Sequence, residues 1–77
     1  MNQIHLIRTT DIHRNAPMWI VCDHQHRLNG RPRETEARIL KRWSDLHGQP
    51  DKLIRYDGPM RPSEAAATIV SIQEGTA

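Results

Sequence analysis

The 77-residue chain has a single cysteine, one tyrosine and no phenylalanine. With only Cys22 available, no intrachain disulfide can form, and the expected setting is a reducing compartment, the cytoplasm. The longest apolar run, Met18 to Cys22 (MWIVC), falls far short of the ~20 residues that span a bilayer. The start of the chain, MNQIHLIRTT, lacks a basic segment followed by a long apolar core, so neither a membrane span nor a secretory signal is expected. A Gly-rich phosphate loop, a nucleophile elbow and a metalloprotease HExxH are all missing. A non-enzymatic protein is the expectation.

What is present is a thin core and a mild basic excess. Hydrophobic residues make up 36% of the chain, so the interior must be built from Ile, Leu, Val, Met, Ala and the two tryptophans. Chains of this size sit near the lower limit for a self-sufficient core, which makes a partner or a homodimer a plausible source of extra burial. Eleven Lys and Arg against nine Asp and Glu leave a formal charge of +2. Such a balance permits contact with nucleic acid without requiring it.

Residues 3 to 9 read as a first strand, and MWIVCDH resumes strand character after the turn-forming TTDIHRNAP, giving a β-hairpin. Asn29-Gly30 is read as a loop, because the segment after it has helical rather than strand periodicity. In PRETEARILKRWSDLHG, Ile39, Trp43 and Leu46, with Ala37 and Leu40 beside them, fall at three- and four-residue intervals. A helix over roughly 33 to 47 follows, with Pro32 at its first position, Glu34 and Glu36 at its positive end and Gly48 as its stop. KLIRY is a short third strand. Ser63 and Gly75 are suited to cap a helix over 64 to 74, with an edge strand as the alternative for the β-branched run Thr68 to Ile72. The expected architecture is α+β: a single-domain β-β-α-β-α sandwich over residues 1–77, a short antiparallel sheet packed on one or two helices.

Three constellations could carry function. If the strand continues past Cys22, alternation projects Cys22, His24 and His26 to one side, where they could bind zinc and staple the hairpin, with His5, His13 or His47 completing the set. The competing reading buries Cys22 and leaves the histidines on a solvated strand end. Secondly, Arg27, Arg31, Arg33, Arg38, Lys41 and Arg42 concentrate in the loop and helix that follow. They could meet phosphates, or they could form a solvated face with a Glu34–Arg38 ion pair worth only about 0.2–0.5 kcal/mol. Thirdly, Trp43 belongs on the core side of its helix. Trp19 faces away from Met18, Ile20 and Cys22 and is a candidate anchor for a partner.

The leading expectation is a small protein-binding module whose Arg31, Arg33, Arg38, Lys41, Arg42 and Trp19 meet another macromolecule. By analogy of size and composition alone, small phage and mobile-element inhibitors of host RNA polymerase or CRISPR effector complexes are of this kind. Direct DNA or RNA binding through the same arginines is the alternative, and a zinc-stapled domain the third.

Overall fold

The computed structural model describes residues 3–75. The chain forms β1 (Gln3–Asp11), β2 (Ala16–Cys22), β3 (Arg27–Asn29), α1 (Glu36–His47), β4 (Lys52–Arg55) and α2 (Pro62–Gln73). One four-stranded sheet has the order β3-β2-β1-β4. The α+β sandwich and its helices agree with the reading of the sequence, including α2 as a helix rather than an edge strand. Two features of the sheet differ from it. Arg27–Asn29 adds a short third strand beside β2, and β4 pairs with β1 in parallel, so the sheet is mixed. A parallel pairing needs a crossover, and α1 lies in the connection that supplies it.

The helices lie on opposite faces of the sheet. Ile4 and Leu6 of β1 and Val21 of β2 face α1 and pack with Ile39 and Trp43. Ile7, Ile20 and Cys22 face α2 and pack with Ala65, Ile69 and Ile72. Strands buried on both faces read as near-continuous apolar runs rather than alternating ones, which is why β1 and β2 look apolar on both sides. Both apolar faces of these strands are therefore covered from within the chain.

Each junction has a local cause. The β1–β2 turn is held by Asp11, whose carboxylate accepts the backbone N–H groups of His13 (3.0 Å) and Arg14 (3.3 Å). Thr35 caps α1 by accepting the Arg38 N–H at 3.2 Å, so the helix starts three residues later than expected and Pro32 stays outside it. Gly48 ends it at φ 86°. Pro62, rather than a Ser63 cap, opens α2, because its missing N–H costs nothing in the first turn. Gly75, at φ 76°, follows the last turn as expected. The β4–α2 connection is tied to β1: Met60 N–H donates to the Arg8 carbonyl and Thr9 Oγ1 to the Met60 carbonyl, both at 2.8 Å. Among the described residues no helix is long and apolar enough to cross a membrane.

Candidate binding site

The Cys22, His24 and His26 cluster does not form, and the reason is local. The strand ends at Cys22, and Asp23 folds the chain back on itself. Its Oδ1 accepts the N–H groups of Gln25 (2.7 Å) and His26 (2.6 Å), while its own N–H donates to the His26 carbonyl. Burial raises the affinity of this carboxyl for a proton, but those donors prevail and hold it below the usual carboxylate range. Alternation therefore stops one residue too early for the histidines. Cys22 is fully buried on the α2 side, and burial pushes its thiol up to about 11. His24 is exposed at the tip of the turn. His26 lies on the α1 side, its ring stacked on His47 with centroids 4.2 Å apart and edge-on to Trp43.

Of the proposed completions, His47 thus reaches His26, whereas His13 is exposed in the β1–β2 turn and His5 is buried on the α2 side, bonded to the Tyr56 hydroxyl at 2.9 Å. Among the described residues no group of three His, Cys, Asp or Glu side chains is placed to hold a metal ion. The turn that the histidines occupy, between β2 and β3, is held by Asp23.

The arginines, by contrast, come together at one corner of the α1 side. Its centre is Glu34, which precedes α1 and pairs with Arg42 rather than with Arg38. Arg42 Nε and a terminal guanidinium nitrogen each donate to Glu34 at 2.7 Å, and the same guanidinium reaches the Asn29 carbonyl at 3.2 Å. Glu34 also accepts the Arg31 N–H at 2.8 Å and returns its own N–H to the Arg31 carbonyl at 3.0 Å. The hydrogen bonds from Arg42 hold its carboxyl below the usual range. One carboxylate therefore fixes the loop before α1, the helix itself and the end of β3.

Just upstream, Gly30 donates its N–H to the Trp19 carbonyl at 2.7 Å, and a Cβ there would stand 2.7 Å from that oxygen. The Asn29-Gly30 pair is thus a close approach to β2, which only glycine permits, rather than a hairpin turn.

Two grooves flank Glu34. One, of about 420 Å³, runs along the solvent side of α1 past Arg31, Arg38, Lys41 and Arg42. The other, of about 440 Å³, lies between the β1–β2 end and the start of α1, with Trp19, Pro17 and Ala16 in its wall and Arg8 and Arg33 at its sides. Every residue singled out for partner binding in the sequence borders one of the two. Arg27 does not; it donates to the Asn29 side chain at 2.9 Å.

Trp19 is half-buried rather than free, with the Arg8 guanidinium 5.3 Å from its ring centroid. Arg8 was missed from the sequence. The signal was an arginine on the β1 face that otherwise carries Ile4 and Leu6, directly across from Trp19 in the hairpin register.

Charge decides what the corner can do. Its borders hold six cations (Arg8, Arg31, Arg33, Arg38, Lys41, Arg42) and three carboxylates (Glu34, Glu36, Asp45), an excess larger than the +2 of the whole chain. The carboxylates are engaged: Glu34 with Arg42, Asp45 with Lys41 at 3.0 Å, and Glu36 with Arg55. Among the described residues Arg8, Arg33 and Arg38 make no ion pair with any of the three, and Arg31 acts on Glu34 only through its backbone N–H and the field of its charge. The charge left over is a group of four arginines beside a partly apolar wall. The chain matches no family model, no curated protein and no solved structure.

Proposed function

We propose that this chain is a non-enzymatic binding module that works by seating its arginine corner on an acidic surface of a partner protein. The observation that supports this reading is the gathering of Arg8, Arg31, Arg33 and Arg38 at one corner whose own carboxylates are already engaged by other cations. A guanidinium that no internal carboxylate engages through hydrogen bonds keeps its donors for a carboxylate from outside, and arginine and tryptophan are the residues that most often anchor interfaces.

The narrower reading is an inhibitor, of the phage or mobile-element kind, directed at a nucleic-acid-handling complex. The sign of the charge restricts it: a cleft that binds DNA or RNA is basic and would repel this corner, so the contacted surface would be an acidic one elsewhere on the complex.

Direct nucleic-acid binding is the competing reading, and the solvent groove along α1 is what favours it. Two of its four cations, Lys41 and Arg42, are however paired with Asp45 and Glu34, which shortens any phosphate-tracking stripe.

The test is capture of partners from lysate of the source organism on the tagged chain, with and without nuclease, beside the Arg31→Glu, Arg38→Glu double variant. The expected result is a protein partner that survives nuclease and is lost on charge reversal. Loss of every partner on nuclease treatment refutes the reading in favour of direct nucleic-acid binding.

A further inference from the structure

The loop that carries the corner contains an arginine in a place that disfavours one. Arg31 to Glu34 form a turn closed by the Glu34 N–H on the Arg31 carbonyl, with Pro32 second and Arg33 third. Arg33 has φ 63°. In a turn with proline at the second position and positive φ at the third, glycine is the favoured third residue, and a side chain there is strained. The turn does not need this side chain. Arg33 is exposed and stands at the side of the groove walled by Trp19 and Pro17, with Arg8 also bordering that groove. Strain kept at an exposed arginine beside a groove points to use of the guanidinium.

We propose that the groove between Arg8, Trp19 and Arg33 seats an acidic segment of the partner protein, carboxylates on Arg8 and Arg33 and one apolar side chain against Pro17 and Trp19. The inference rests on the binding-module reading above and narrows it to one groove and one chemistry. Glu34 and Glu36 also line the groove, but Arg42 and Arg55 engage them, so the charge left to complement is that of Arg8 and Arg33, which argues for carboxylates. The apolar part of the wall argues for a side chain between them.

The test uses fluorescein-labelled probes and anisotropy on the full chain: a short peptide of Asp and Glu with one central Leu, the same peptide with Ser for Leu, and a single-stranded oligonucleotide of equal charge. The Leu peptide should bind best, and Arg8→Gln and Arg33→Gly should each weaken it about tenfold, the equivalent of one charge-assisted contact. Replacing its Leu by Ser should also cost about tenfold. Arg33→Gly should at the same time raise the melting temperature, since glycine relieves the positive φ. A merely structural arginine would give the opposite sign.

Failure of the wild-type chain to bind the Leu peptide overturns the groove assignment. Peptide binding that ignores Arg8→Gln and Arg33→Gly but vanishes in the Arg31→Glu, Arg38→Glu variant also overturns it, while leaving the binding-module reading intact. Tighter binding of the oligonucleotide than of either peptide overturns both.

Discussion

The two faces of the sheet have been given different tasks. Behind α2, Ile7, Ile20, Cys22, Ala65, Ile69 and Ile72 form a closed apolar layer, and Glu64 is the only charged residue of the helix itself. Behind α1, the buried Ile39 and Trp43 share their helix with Glu36, Arg38, Lys41, Arg42 and Asp45. α2 can do little except cover a sheet, whereas α1 covers it with one stripe and meets solvent with the other. In so small a chain, stability and recognition are separated by putting them on opposite sides of two central strands.

The largest effect expected on that division comes from cutting into the α2 face. Ile69 is 3% exposed, and Ile69→Ala should cost about 2–5 kcal/mol. That is a large share of the roughly 4–11 kcal/mol available to a chain this long. Chemical denaturation should register the loss, while the acidic-peptide affinity of the molecules that remain folded stays unchanged. A parallel loss of affinity would show that the faces are coupled. On the opposite side, Glu34→Ala leaves Arg42 with only the Asn29 carbonyl and the Arg31 N–H without its acceptor. A smaller loss of about 1–2 kcal/mol is expected, together with weakened peptide binding, because the loop that carries Arg31 and Arg33 loses its clamp.

Arg33→Gly should move the two properties in opposite directions. Relief of the positive φ is worth about 1 kcal/mol, or a rise of roughly 4–8 °C in melting temperature for a domain of this size. Binding of the peptide should fall. A variant that loses both would place Arg33 among the residues that support the fold.

How much of this could be read in the sequence depended on the range of the interactions involved. α1 was legible because Ile39 and Trp43 recur at helical spacing and are fully buried; Leu46 shares the period yet is 65% exposed, since periodicity does not say how far along a helix the sheet extends beneath it. β3 was not legible, because three residues with only Leu28 turned inward offer no pattern. The parallel β1–β4 pairing joins residues about fifty positions apart, and no local signal specifies it. At the candidate site the sequence identified the arginines but not their division into paired and unpaired. That division depends on Glu34 reaching Arg42 instead of Arg38, a choice made by Thr35 capping the helix after Glu34 rather than before it. The metal cluster failed through a single residue, Asp23, whose turn ends the alternation on which the cluster depended.

The smallest effect is expected from the one histidine on the quiet side. His5 is 7% exposed, opposite Cys22 in the hairpin, and held to Tyr56. Burial disfavours its charged form and lowers its pKa below the ordinary value. Above about pH 6.5 the imidazole is neutral in both folded and unfolded chains and contributes no pH dependence. As the pH falls below that value the unfolded chain takes up a proton that the folded chain resists, so stability declines until the pH passes the folded pKa and then levels off. The carboxylates of Asp11, Asp23 and Glu34, all held low, contribute in a different window, because their stabilisation is lost only below about pH 4.5. Denaturation curves between neutral and mildly acid pH should therefore show a shallow loss in the wild type that His5→Gln removes, since glutamine keeps a polar partner for Tyr56 but cannot titrate. An unchanged slope in His5→Gln would show that the closed face has no part in the response to pH.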